Sequence, residues 1–535
     1  MLRRYKLLIA GSITLSVLLA LSVGGWTAYR LFVVRTFHIP TNAMAPTVWG
    51  RYKDLVCPKC GYAYRVSASE EAEAATGRSL GPDYQVVAGT CPMCRYTMNL
   101  RTDAGPGEQF PSSRGEKIPV AMLAYRTDDP QRWDIAVFEY PGDPQVNFMK
   151  RIVGLPDETV RIAGGDILVK ADGRDELTIA RKPPEVVRKM LHVVHDNDYA
   201  PTEIADKGWP PRWSAEPGEA ADTAGAWKAS EDGKAFACDG TAAGPTWLRY
   251  RHLVPSYGDW QLLQQGPLPK GRQPKPQLIS DFFAGNTGQQ RQIMRRDSGP
   301  DPETLGLHWV GDLAVGCAIE AEGDSGEVIF ELVEAGRAHR CAIDLATGEA
   351  RLSVDALDAF GPAGATAFSE PGTHDVLFAN VDNQLLLWID GELVAFDGPT
   401  TYDPPGKRLP QAADLAPVGI ASRGAAVQIS RLKVLRDIYY IADDGSSYRH
   451  GLSDFDAAAW PYEPFTCETI VGFLSDPGQW AAFDKARHLD FQLGPGQYLV
   501  LGDNSAKSKD SRLWGQESIP FYVRRDQMLG KVLGR

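Results

Sequence analysis

Four cysteines carry the chemistry that residue type and spacing reveal directly. Cys57-Pro-Lys-Cys60 and Cys91-Pro-Met-Cys94 are two Cys-Pro-x-Cys turns with 30 residues between them. Each tight knuckle aims two thiolates at one point, so the pair predicts a tetrahedral four-cysteine zinc site. Beyond a membrane the same residues could close two disulfides instead, and free thiols are a third reading. Four thiolates leave no open coordination position, so the module is structural or a docking surface. Taken alone, Lys150 reads as a surface lysine, although Phe148, Met149, Ile152 and Val153 around it are apt for desolvation. An unperturbed lysine is neutral only about once in 2,500 at pH 7, so it serves as a base only where burial lowers its pKa. Cys238, Cys317, Cys341 and Cys467 are scattered and read as small buried apolar residues. The nine histidines show no HExxH-like spacing, and no cofactor for catalysis is expected.

The elements that must position these groups are spread over 535 residues, enough for three or four structural units. A formal charge of −12 with no long basic run argues against nucleic acid as a partner. Leu7 to Tyr29 is a run of 23 residues without a charge, long enough to span a bilayer as one helix. Arg3, Arg4 and Lys6 precede it while Arg30 and Arg35 follow, so the run predicts an uncleaved anchor with its N-terminus in the cytoplasm. A cleaved signal peptide, the alternative, would have a shorter apolar region. Residues 171–272 are rich in Pro, Trp and Gly and read as irregular, whereas 273–435 show short alternating strands between Gly-containing turns, the pattern of a β-sandwich. Within it, Asn383 to Val394 resembles a strand–turn–strand of concanavalin-like jelly rolls, which implies a protein or carbohydrate ligand.

Three separated stretches carry a more specific resemblance. They are Phe37-His38-Ile39-Pro40-Thr41-Asn42-Ala43-Met44-Ala45-Pro46-Thr47, then Phe148 to Pro156, then Leu501-Gly502-Asp503-Asn504-Ser505-Ala506-Lys507-Ser508-Lys509-Asp510-Ser511-Arg512. In this order, behind an apolar span, they resemble the boxes of bacterial type I signal peptidases, membrane-bound serine proteases with a Ser/Lys dyad. The family pattern Ser-Gly-Ser-Met-x-Pro-Thr reads Thr-Asn-Ala-Met-Ala-Pro-Thr here, so Ala43 stands where the nucleophilic serine belongs. The resemblance makes Lys150 the general base and Ser508 the hydroxyl that orients it. Thr41 becomes the oxyanion-hole hydroxyl, or a substitute nucleophile. Met44, Pro46, Arg151, Gly502, Asp503, Asn504 and Ser511 support the boxes, and Asp510 with Arg512 braces the last one. Two departures fall at turns. Trp133 replaces a family glycine, and Asp157-Glu158 replaces Gly-Asp, where Asp tolerates a positive φ better than most residues.

The resulting expectation is a mainly β chain. A cytoplasmic tail (1–6) and a transmembrane anchor (7–29) precede an all-β protease core in three parts, 30–50, 110–170 and 436–535. A zinc-ribbon-like insertion (51–109), the irregular stretch (171–272) and the sandwich (273–435) interrupt that core. The implied function is a single-pass serine endopeptidase of the cytoplasmic membrane, its bulk on the extracytoplasmic side, removing signal peptides from exported preproteins. The alternative is an inactive homologue that binds exported proteins or scaffolds an envelope complex.

Overall fold

The computed structural model describes residues 33–534 apart from 104, 106, 172, 174, 217–226, 243, 293–298, 324, 370–371 and 447–450. The tail over 1–6 and the anchor over 7–29 lie outside the described residues. Among the described residues no helix is long and apolar enough to cross a membrane.

All three parts of the expected core meet in one seven-stranded sheet. Its order is Val34–His38, Lys117–Ala121, Met528–Val532, Ile135–Tyr140, Asp143–Gly154, Gln497–Leu501 and Val523–Arg524. Ile135–Tyr140 is buried along nearly its whole length, as the apolar run from Ile135 to Phe138 requires. Asp143–Gly154 is exposed in its polar first half and buried from Met149 onward, which is where Lys150 sits. A second sheet, ordered Thr178–Ile179, Asp166–Ala171, Glu158–Ala163 and His488–Gln492, packs against the first over Val153, Val160, Ile162, Leu499 and Leu501. Both unusual turns are present. Asp157 has φ 63° and Trp133 has φ 72°. A left-handed non-glycine residue costs about 1–2 kcal/mol. At Trp133 this is offset by a buried indole whose N–H donates to the Arg181 carbonyl at 3.0 Å.

The larger inserted unit consists of two antiparallel sheets of eight and seven strands with one shared core. Val315, Phe378 and Leu387 come from one sheet, Phe330, Ile343 and Ile420 from the other. Residues 171–272, expected to be irregular, supply strands to both. His192–Asp196, Lys228–Ala229 and Phe236–Cys238 join the first, while Trp213–Ala215 and Thr246–Tyr250 join the second. These strands are two to five residues long, too short for a period of two to show in sequence. Conversely, Gln289–Gln290, from the stretch read as sandwich, pairs with Val86–Thr90 of the cysteine insertion.

Arg408 ties the inserted sheets to the core. It ion-pairs with Asp166 of the core sheet and with Asp312 and Glu334 of the insertion. Arg408→Met would leave three carboxylates buried without their cation, so it is expected to destabilise the protein by about 3–5 kcal/mol. A lower midpoint of denaturant unfolding checks this. Arg408→Lys should recover only part of the loss, because one ammonium lacks the guanidinium's fork of donors.

Candidate active site

The strand Asp143–Gly154 carries Lys150 inward until its ammonium donates to Ser508 Oγ at 2.8 Å. Both side chains are buried. Burial outweighs the nearby Asp510 and pushes the Lys150 pKa down to about 8. Gly502 permits this contact. A Cβ on it would lie 2.2 Å from Ser508 Oγ and 2.4 Å from the Ala43 carbonyl oxygen, so the last box lies directly on the Ala43 loop. Asn504 completes the junction, its backbone N–H donating to the Ala43 carbonyl at 3.1 Å and its side-chain amide to the Asn42 carbonyl at 3.0 Å.

The supporting residues form two buried ion pairs, neither of them a surface pair. Arg151 grips Asp503 with two bonds of 2.7 and 2.6 Å, and Thr47 Oγ1 donates to the same carboxylate at 2.5 Å. Asp510 and Arg512 are fully buried and bonded twice at 2.9 Å. Arg512 also donates to Ser505 and to the Ile441 carbonyl, and Asp510 accepts the Gly502 N–H at 3.0 Å. Ser511 Oγ accepts the Val500 N–H at 3.0 Å. Met44 packs in the core under the loop, and Pro46 is partly buried behind it.

Thr41, exposed, and Ala43, partly buried, face a cleft of about 1080 Å³ that also reaches Lys150 and Met149. The insertions supply its opposite wall, including Ser69, Glu70, Asn286 and Gln290. Three of the residues that lock this wall to the loop escape sequence reasoning. Asn286 pairs side chain to side chain with Asn504 at 2.8 and 2.7 Å. Asn42 Nδ2 donates to Ser67 Oγ and Ser69 Oγ, both at 2.9 Å. Asn42 itself lay inside the quoted motif; Asn286, Ser67 and Ser69 carried no local signal.

The four clustered cysteines converge as expected from their knuckles. Their sulfurs all lie within 4.8 Å of one another, with Cys57–Cys94 and Cys60–Cys91 each at 3.5 Å. No disulfide joins any of the four. Sulfurs bound to one tetrahedral zinc at about 2.3 Å would stand roughly 3.8 Å apart, so the donor set fits that ion. The knuckles are built alike. Gly61 and Arg95 take φ 74° and 61°, and their N–H groups donate to the carbonyls of Cys57 and Cys91. Asp166, Asp312 and Asp382 also cluster, but each already pairs with Arg408 or Lys182.

A family model described as signal peptidase, peptidase S26, matches residues 110–200 and 474–535. Signal peptidase I of Pseudomonas aeruginosa is 61% identical over 48 residues, 9% of this chain and 17% of that protein. Signal peptidase I of Leptolyngbya laminosa is 30% identical over 103 residues, 16% of this chain and 50% of that protein. Over these segments the chain is similar to the bacterial type I signal peptidases. It spans at most about half the length of the signal peptidase relatives it matches. Among solved structures, a carbohydrate binding module from Bacillus subtilis aligns with a TM-score of 0.21 at 9% identity, over 42% of this chain and 94% of that one. A likeness that weak carries no argument.

The site thus holds a desolvated lysine, a hydroxyl bonded to it and an open cleft, while position 43 offers a methyl group. Protonation of Lys150 makes a stability prediction. Its unfolded pKa is about 10.4 and its folded value is about 8, so between these the unfolded chain holds a proton that the folded one lacks. Stability should therefore rise from pH 8 to pH 10.4, and at neutral pH Lys150→Met should stabilise the fold by about 2 kcal/mol. Unfolding midpoints measured across that range check the sign.

Proposed function

We propose that this protein is a membrane-anchored signal-peptidase homologue that binds the signal peptides of exported preproteins without cleaving them. The observation that carries the reading is the assembled Lys150–Ser508 pair, 2.8 Å apart, beside an alanine. A methyl group cannot attack a carbonyl, and losing the nucleophile removes about six orders of magnitude of turnover. The cleft keeps Thr41 and the backbone of residue 43 on its wall, so the groups that would grip a peptide remain. Zinc held by Cys57, Cys60, Cys91 and Cys94 is part of the same reading, as a structural ion. The apolar run over 7–29 would anchor the chain in the cytoplasmic membrane, close to substrates that are themselves tethered there.

A second reading keeps the activity and gives it to Thr41, which is exposed in the same cleft two residues from Ala43. Incubating the full chain with a preprotein carrying an Ala-x-Ala site separates the two. Saturable binding with intact preprotein is the expected result. Cleavage that both Thr41→Ala and Lys150→Ala abolish, with a covalent adduct trapped on Thr41, would replace the binding reading with the second one.

A further inference from the structure

Against Pro46 and Trp49 of the Ala43 loop lies a second cavity of about 580 Å³. Pro46 and Trp49 of the loop form one wall, and the cysteine insertion, strand His192–Asp196 and residues around Phe283 form the others. Its size falls in the range of small-molecule sites. Its lining sets one acid, Asp54, against Arg65, Arg95, Arg436, His192 and His252.

Among the described residues no carboxylate pairs with Arg95 or Arg436. Arg436 is buried and donates only to backbone carbonyls, those of Asp437, Asp281 and Phe282, at 2.7, 3.0 and 3.0 Å. The guanidinium carbon of Arg95 lies 3.3 Å from the centre of the Phe282 ring, and its buried Nε has no hydrogen-bond partner. His192, paired with Arg436 across the strands, leaves its buried Nε2 equally unpartnered. Asp281 and Asp437 lie near enough to favour the charge on Arg436, though burial outweighs them and the acids around the cavity bond to other cations. Asp54 pairs with Arg65 at 3.0 Å, Asp281 with His308 at 2.9 Å and Asp437 with Lys182 at 2.7 Å. A buried guanidinium without a counter-charge is strongly destabilising, and orphaned buried polar atoms are rare in native folds. A zinc–thiolate centre next to Arg95 would offset part of its charge, yet the thiolates give Arg95 Nε and His192 Nε2 no acceptor.

We propose that this cavity is a binding site for a small organic oxyanion, a phosphate or carboxylate on an aromatic or apolar body. Arg95, Arg436 and His192 hold the charge, while Trp49 and Phe283 pack against the body. Because Trp49 and Pro46 belong to the Ala43 loop, the ligand sits against that loop.

The test is calorimetric titration of the full-length, zinc-loaded protein with three probes: phenyl phosphate, benzoate and inorganic phosphate. One phenyl phosphate or benzoate should bind per chain, at least tenfold more tightly than inorganic phosphate. Arg95→Gln and His192→Leu should each weaken that binding tenfold or more with zinc content unchanged. The proposal fails if no probe binds saturably, if inorganic phosphate binds as tightly as the others, or if both variants bind like the parent. It also fails if Arg95→Gln merely sheds zinc while His192→Leu binds the probes normally, since Arg95 would then be the counter-charge of the thiolate cluster.

Discussion

Ala43→Ser is expected to raise cleavage of an Ala-x-Ala preprotein by about 10⁵–10⁶ over the chain as it stands. In hydrolases where nucleophile and base act as a unit, removing the nucleophile alone costs about that factor. Here the unit is otherwise assembled. Lys150 is buried on Ser508, and a serine at 43 would sit on a loop pinned by Asn504 and floored by Gly502. The new hydroxyl would need a neutral lysine to take its proton. With the Lys150 pKa near 8, the rate should climb about tenfold per pH unit below 8 and level off above it. Adding Lys150→Ala to Ala43→Ser should return the rate to that of the parent chain. Mass spectrometry of the released signal peptide gives the rate and the bond cut. An inert Ala43→Ser that still binds the preprotein would mean that the oxyanion donors no longer aim at the scissile carbonyl.

That prediction could be framed from sequence because the parts it uses are local. Lys150, Ser508 and the Ala43 loop each lie in a short stretch whose order and spacing carry the pattern, and strands built from such stretches met in one sheet. The turn at Asp157 was likewise legible, since a positive φ favours a small polar side chain. Trp133 was not. Its left-handed backbone persists because the Arg181 carbonyl and a buried packing site hold the indole, and both are remote in sequence. Asn286 was invisible for the same reason, as its amide finds Asn504 218 residues away. The strands within 171–272 escaped because they are short and take their order from long partners such as Val427–Arg436, to which both His192–Asp196 and Phe236–Cys238 pair. Local chemistry was readable, whereas the wall of the cleft that the insertions supply was set by distant pairing.

Removing the zinc proposed for the four cysteines is expected to have an effect of comparable size on stability, and to reach the cleft. Structural zinc in small four-ligand sites contributes roughly 10–16 kcal/mol of apparent binding energy. In this chain the metal would hold together two knuckles whose strands, Tyr52–Val56 paired with Ala63–Ser67 and Val86–Thr90 paired with Thr97–Asn99, are too short to be stable alone. Chelation should release one zinc per chain and open residues 51–109 to proteolysis while the seven-stranded core sheet survives. The consequence then passes through two serines. Ser67 ends one of these strands and Ser69 follows it, and together they hold the Asn42 amide beside Ala43. Each such bond contributes about 1 kcal/mol, so losing both should weaken signal-peptide binding by about ten- to thirtyfold. Ser67→Ala with Ser69→Ala should reproduce that loss while zinc content stays at one per chain. If chelation opens the insertion and peptide affinity is unchanged, the insertion is a separate module and the Ala43 loop is held without Ser67 and Ser69.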